Sequence, residues 1–415
     1  MKSTKPLLVI GAGIAGITAA LEAAEAGAEV ILVEREPTIG GRVVRIHNYF
    51  PKMCPPTCGM EINLRRLESN PRIRVITSAR VAGAEQTGDS WKVTLAVAPA
   101  FDNARCTACG DCEAACTTEV DDPFNLGMKK IKAIRLPHLN AWPRRYVFDR
   151  GACSDEEAKK IADACPYQAV DLDAAETSET VEVGAVVVAT GWQPYPLERL
   201  TDLGGDLPDV IANVQMERMA SDSGPTGGKI LRPSDGAEPK RVAFVQCAGS
   251  RDVNHLPYCS GICCLASLKQ ATYVKDQLPD AEVTMYYIDR RAPGRNEDVL
   301  LKVAAIEGVR LVKGKVGKIT QSNGSLKLRV EDVEAERVID AEADLVVLAT
   351  GMMPNAVDDD MALFTRKDED GFVLDDLESG ITVAGVARRP EDVASSVRDA
   401  TGAAARALAA AARRA

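Results

Sequence analysis

The 415-residue chain has few aromatic residues (3 Trp, 8 Tyr and 7 Phe) and only 3 His. Aliphatic and small side chains must therefore build the core. His47, His138 and His255 are too scattered to form a histidine metal pair. Long apolar runs are missing as well. Those around Val186 and Val346 each break at Ala-Thr-Gly, well short of the roughly 20 residues that cross a bilayer. Leu7 to Gly11 is too short and too glycine-bearing for a signal peptide. Basic residues are outnumbered, 50 Lys+Arg against 60 Asp+Glu for a net charge of −10, and nowhere form a track for a phosphate backbone. These absences exclude nucleic acid as a partner and direct membrane insertion, and leave a cytoplasmic chain as the expectation.

What is present is glycine (32), proline (22), a 46% apolar fraction and 12 cysteines. The length suits two or three domains with a large buried core, and the composition suits α/β units joined by tight turns. Cysteines without an export signal read as metal or redox thiols, not as a disulfide framework. Ten of the 12 fall in two neighbourhoods, Cys106 to Cys165 and Cys247 to Cys264.

Apolar runs at Leu7–Ile10 and Val30–Val33 flank an Ala-rich helical stretch, which is a β-α-β unit. The expected organisation is a dinucleotide-binding domain over residues 1–100 and 176–221, interrupted by a Cys-rich insert over 101–175. A Gly/Pro/Ser-rich linker follows over 222–240. A second β-α-β domain occupies 241–345, and 346–415 returns to the first domain and closes with a helix from Val393 to Ala415.

Gly11-Ala-Gly13-Ile-Ala-Gly16 follows the first strand and opens the helix. The first glycine permits the tight turn, the second lets backbone approach a pyrophosphate, and the third allows close packing of helix on strand. Helix N–H groups then face the phosphates. Glu34 ends the second strand, where a carboxylate accepts bonds from ribose hydroxyls. Gly40-Gly41-Arg42, the Ala-Thr-Gly strands ending at Thr190-Gly191 and Thr350-Gly351, and Ile381-Thr-Val-Ala-Gly385 resemble the ordered FAD-site pieces of the glutathione-reductase and thioredoxin-reductase type. The usual Asp after that last glycine is replaced by Val386. After the second domain's strand the chain reads Gln246-Cys247-Ala-Gly-Ser-Arg251 in place of a glycine fingerprint, so NAD(P)H is not expected there.

Cys106-x-x-Cys109-x-x-Cys112-x-x-x-Cys116 is the bacterial ferredoxin run, and Cys165-Pro166 supplies the distant ligand. Cys106, Cys109, Cys112 and Cys165 are read as ligands of one [4Fe–4S] cluster, with zinc as the rival metal. The second ferredoxin half is incomplete, so Cys116 and Cys153 are either remnants or await ligands from outside. Cys247-x11-Cys259-x3-Cys263-Cys264 is read as a second cluster set. A thioredoxin-reductase disulfide is its rival, although the Cys-x-x-Cys spacing is absent. Cys54 and Cys58 stay open between redox, ligand and loop roles. The cofactors expected are FAD and one or two [4Fe–4S] clusters, with a third set incomplete.

The order of glycine fingerprint, Cys54/Cys58, ferredoxin insert and four-cysteine group resembles the A subunit of heterodisulfide reductase over nearly the whole chain. The half-empty ferredoxin insert and the short length are most similar to the A subunit of the quinone-interacting membrane-bound oxidoreductase of sulfate reducers. That resemblance implies an oxidoreductase component that works within a complex at the inner face of the membrane. The implied partners are adenylylsulfate reductase and two further members of the same complex, one a flavoprotein/iron–sulfur protein and one a haem-containing membrane protein. Two other functions stay open: a heterodisulfide-reductase-type protein acting on another sulfur or disulfide substrate, and an NAD(P)H-dependent flavin disulfide reductase.

Overall fold

In a computed structural model, residues 5–50, 53–99, 101, 105–322, 324–355 and 365–414 are described; Met1 to Thr4 and Ala415 lie outside them. The helices are α1 (Ile14–Glu25), α2 (Thr57–Ser69), α3 (Asp111–Ala115), α4 (Asp155–Asp163), α5 (Asn213–Met219), α6 (Cys263–Gln277), α7 (Glu297–Ala304) and α8 (Val393–Arg413).

The first sheet is parallel and runs Ile381–Val383, Ala185–Val188, Leu7–Ile10, Val30–Val33, Ile73–Ile76. Its central strands are buried on both faces, which is why they read as unbroken apolar runs instead of alternating ones. Helix α1 packs against α8 through alanines such as Ala19, Ala23, Ala403 and Ala407. Side chains this small let the two helices lie close on the sheet. A three-stranded antiparallel sheet (Ala79–Thr87, Ser90–Val97, Thr177–Val183) covers the other face through Val93, Leu95 and Val183.

Thr177 pairs with Val97, so the chain leaves for the insert and returns at one point of this sheet. The segment between them therefore loops out from this sheet. Its own core gathers Ile134, Tyr146, Phe148 and Ile161 around cysteines 112, 116 and 153.

The second sheet runs Val210–Ala212, Leu345–Thr350, Arg241–Ala248, Glu282–Tyr287, Val309–Ser322, Ser325–Asp332, Arg337–Ala343. Two domain limits move accordingly. Leu345–Thr350 pairs in parallel with both Val210–Ala212 and Arg241–Ala248, so the return to the first sheet comes later than residue 346. Residues 210–219, assigned from sequence to the first domain, pack with the second. An apolar strand bounded by Ala-Thr-Gly reads alike in either sheet, and only the pairing partner distinguishes them.

Arg218 on α5 joins all three parts. It donates from Nε to Asn125 Oδ1 of the insert (2.9 Å) and from a terminal nitrogen to the Arg45 carbonyl of the first domain (3.1 Å). Its guanidinium lies 4.6 Å from the centre of the Phe124 ring, which also meets the Arg45 guanidinium at 5.4 Å and stacks on the His138 ring at 4.5 Å. Burial pushes the Arg218 pKa down to about 10, with neighbouring Arg45 adding to the effect, and lowers His138 to about 4.

Candidate cofactor cavity and cysteine sites

A cavity of about 1070 Å³ begins at the glycine turn and extends to α6; ligand pockets commonly span roughly 300–1,000 Å³. Gly11, Gly13, Glu34, Gly41, Arg42, Thr190 and Gly191 all line it. Gly11 has φ +98°, and a Cβ there would sit 2.4 Å from the Ala189 carbonyl oxygen. Gly16 lies beneath the cavity, where a Cβ would come 1.7 Å from the Gly11 oxygen. Gly13 is different. It is extended, at φ −75° and ψ −175°, and the nearest atom to a Cβ is the Gly41 Cα at 3.8 Å. Nothing in the protein requires glycine at 13, so what its missing side chain leaves open is approach from the cavity.

Glu34 is 8% exposed; Oε2 accepts from Ala12 N (2.7 Å) and Oε1 from Glu36 N (2.9 Å). Burial raises its pKa, against the pull of those two bonds. Arg42 donates from Nε to the Trp192 carbonyl (2.8 Å) and lies over the Trp192 ring, and burial lowers its pKa to about 10. The Thr190 hydroxyl is buried with no hydrogen-bond partner in the protein, which is unusual for a buried polar group. An open cradle at Gly13, an unpartnered Thr190 hydroxyl and a carboxylate at the second strand fit the phosphate, polar and ribose groups of a dinucleotide such as FAD.

Besides Gly16, two further expected residues lie off the cavity. Gly351 packs against Leu256, Ser250 and Ser260. Gly385, at φ +65°, packs against Ala15 and Ser396, while its neighbours Ala384 and Val386 do line the space. Asp399 Oδ2 on α8 accepts from Gly385 N at 2.9 Å and so fixes this turn.

Cys106, Cys109, Cys112 and Cys165 all line one small pocket, with Phe101, Ile134, Tyr146 and Phe148 as its apolar wall. The loop curls around it through left-handed residues Ala108 (φ 55°) and Gly110 (φ 98°). Burial, and then its three thiol neighbours, push Cys112 up to about 11, although the Glu113 backbone acts against this. A bound cationic iron core would reverse that pressure. Ala169 N already donates to Cys165 Sγ at 3.3 Å, as backbone donors do around cluster sulfurs.

A hairpin separates this pocket from the cavity. Ile134 and Phe148 face the cysteines, whereas Arg135 and Val147, one residue along on each strand, face the cavity. Successive strand residues point to opposite faces, so one hairpin forms both walls.

The second set gathers at the start of α6. Cys263 and Cys264 open the helix, Cys259 lies on the loop before it, and Cys247 sits at φ 59° in the strand Arg241–Ala248. Burial raises the pKa of the Cys263 thiol, and the thiols of Cys264, Cys247 and Cys259 add to that rise. Gly261 N donates to Cys259 Sγ at 3.4 Å. Ile262, Leu265 and Ala266 line the cavity, and Cys263 to Ala266 spans only about 5 Å along a helix. The strand and α6 are joined by residues 249–262, not by a tight glycine turn. Cys54 bridges to the cavity-lining Tyr49, and Cys58 is exposed in the first turn of α2.

Lys269 and Glu217, which belong to no motif in the sequence, also line the cavity and form a buried ion pair at 3.0 Å. Glu217 further accepts from Gln270 Nε2 (2.7 Å) and His47 N (3.0 Å), and Lys269 donates to the Asn48 carbonyl. A lysine in a segment otherwise facing the core is the only sequence signal of the pair, because its partner is far away along the chain.

The fold and the glycine-lined cavity define an FAD-dependent oxidoreductase class. The FAD-dependent oxidoreductase family matches residues 6–51. Lactococcus lactis thioredoxin reductase superposes with a TM-score of 0.55 at 14% identity, covering 99% of both chains. The thioredoxin reductase of T. acidophilum gives 0.53 at 13% identity over 98% of this chain and 99% of its own. At the level of sequence the chain is a homologue of the heterodisulfide reductase A subunit. The A subunit of the H(2):CoB-CoM heterodisulfide,ferredoxin reductase of Methanothermobacter marburgensis is 35% identical over 96% of this chain and 63% of its own length. A protein of Archaeoglobus profundus, named as like the heterodisulfide reductase A subunit, is 32% identical over 98% of this chain and 66% of its own. The chain thus spans less than two thirds of these relatives.

Proposed function

We propose that this chain is the FAD- and iron–sulfur-carrying electron-transfer component of a heterodisulfide-reductase-like complex. The observation that carries this reading is that both four-cysteine sets share a wall with one dinucleotide cavity, one through the Ile134–Phe148 hairpin and the other through the first turn of α6. FAD, when bound, exchanges one or two electrons and so joins pair donors to one-electron clusters.

The protein's own residues provide the setting. The turn at Gly11 and Gly13 offers backbone N–H groups at the α1 N-terminus to a pyrophosphate, and Glu34 is placed for ribose hydroxyls. Arg42 and the Lys269–Glu217 pair set fixed charge on the cavity wall. Cys106, Cys109, Cys112 and Cys165 would hold one [4Fe–4S] cluster, and Cys247, Cys259, Cys263 and Cys264 another. The three-step spacing of Cys106, Cys109 and Cys112 is typical of a loop that wraps a cubane, which favours a cluster over zinc there.

Electrons would pass between a membrane quinone pool and cytoplasmic sulfur metabolism, with adenylylsulfate reductase as the exchange partner. Among the described residues no helix is long and apolar enough to cross a membrane. Quinone contact is accordingly assigned to a haem-containing membrane protein of the complex, with a second flavoprotein between, which would hold this chain at the inner face of the membrane. The test is a stepwise anaerobic reduction of the purified protein followed by EPR, in the native chain and in C112S and C263S. Two reduced-cluster signals are expected, each variant losing one. Loss of neither would overturn the assignment of these thiols as ligands.

A further inference from the structure

The leftover half of the ferredoxin motif forms a site of its own. Cys116 caps the end of α3, and Cys153 precedes Ser154, the N-cap of α4, whose first turn carries Glu157. The two sulfurs and a Glu157 oxygen lie within 4.8 Å of one another. None of the three lines the pocket of Cys106, Cys109, Cys112 and Cys165. Both thiols are buried, Cys116 at 2% and Cys153 at 7% exposure.

A second cubane does not fit here. It needs four thiolates, and the remaining ground is occupied by Glu157 clamped to Thr117 and Thr118. Oε1 accepts from Thr117 N (2.7 Å), Thr117 Oγ1 (2.8 Å) and Thr118 N (2.8 Å), and Oε2 accepts from Thr118 Oγ1 (2.5 Å). These bonds close the loop after Cys116 onto α4. They also orient the carboxylate as hydrogen-bonded metal ligands are oriented, and leave Oε2 with a free lone pair.

Two sulfurs and one carboxylate oxygen suit a borderline-soft divalent cation. Tetrahedral Zn²⁺ with sulfur at about 2.3 Å and oxygen at about 2.1 Å separates its ligand atoms by roughly 3.6–3.8 Å, so the present arrangement needs only a small closure.

We propose that Cys116, Cys153 and Glu157 bind one Zn²⁺-type cation, separate from both four-cysteine sets, with water in the fourth position. Binding converts two thiols to thiolates and releases two protons to solvent, and no electron moves. The cation ties the end of α3 to the start of α4 where a second cluster would otherwise do so.

The test uses the full chain, purified anaerobically, stripped with a chelator and then given Zn²⁺ alone, with zinc, iron, sulfide and flavin counted on each sample. One zinc per chain is expected, falling to none in C116S and C153S and lost on mild chelation in E157Q, while iron, sulfide and flavin stay constant. E157Q keeps the shape of the clamp, and its iron and flavin content report that the insert is folded. Failure of the native chain to take up zinc would overturn the proposal. So would a loss of about four iron in C116S or C153S, or a Cys116–Cys153 disulfide found by mass spectrometry in the anaerobic protein.

Discussion

Replacing Gly13 and Gly16 separately distinguishes a ligand cradle from a packing turn. At Gly16 a Cβ would come 1.7 Å from the Gly11 oxygen, so Ala must push α1 off its strand. Overpacking against side chains costs about 1–3 kcal/mol; against backbone, about 3 kcal/mol or more is expected. At Gly13 the backbone is already in a region open to alanine, and the nearest atom to a Cβ is 3.8 Å away. Gly→Ala at this N-cap should cost at most about 1 kcal/mol of stability. The same methyl group would stand in the cavity against an incoming pyrophosphate. Gly13→Ala should therefore weaken FAD binding about 10- to 100-fold, or about 1.4–2.8 kcal/mol, in a protein that melts almost normally. The assay is fluorescence titration of the flavin-free protein with FAD, beside thermal unfolding of the same sample. Native-like FAD affinity in Gly13→Ala would refute the cradle, and a collapse in stability equal to that of Gly16→Ala would show that residue 13 serves packing.

Lys269→Met, which leaves the Glu217 carboxylate buried without its cation, should cost about 3–5 kcal/mol in urea unfolding, and the double variant E217Q/K269M should recover most of it; additive losses would show that the pair is not coupled. His138 is held neutral in the fold with a pKa near 4, against 6.5 unfolded, so protonation favours unfolding. Its contribution is intact above pH 6.5 and is lost as pH falls toward 4, and His138→Gln should flatten that part of the stability profile. Glu157 shifts the other way, its pKa lowered to about 2 first by the Thr118 hydroxyl bond. The contribution of this clamp to stability should be full above about pH 4.5 and diminish as the pH falls toward 2, and urea unfolding of E157Q should lack that dependence. NADH should leave the flavin of the isolated protein oxidised, and rapid bleaching would overturn the reading of the Cys247 segment.

Periodicity and glycine placement made the first β-α-β unit and its cavity legible, because a turn that must approach phosphates has few sequence solutions. The meeting of Cys106, Cys109, Cys112 and Cys165 at one pocket was legible from their spacing as well. Sheet membership was not. Leu345–Thr350 and Ala185–Val188 are equally apolar, and nothing local says which sheet each joins. Gly351 and Gly385 carried a motif without carrying a contact, since their neighbours line the cavity instead. The alternation that puts Ile134 toward the cysteines and Arg135 toward the cavity occupies a strand of two residues, too short to register as a pattern. Glu217–Lys269 and Asp399–Gly385 are pairings between separate elements, whose meaning exists only once the chain is folded.

The most direct test is a count of iron, acid-labile sulfide and flavin in one anaerobic preparation of the native chain, with EPR on the reduced sample. One FAD with about eight iron and eight sulfide per chain, and two cluster signals, is the predicted result. Zinc without sulfide at the two four-cysteine sets, or about four iron and a single signal, would contradict an electron path with a cluster on each side of the flavin cavity.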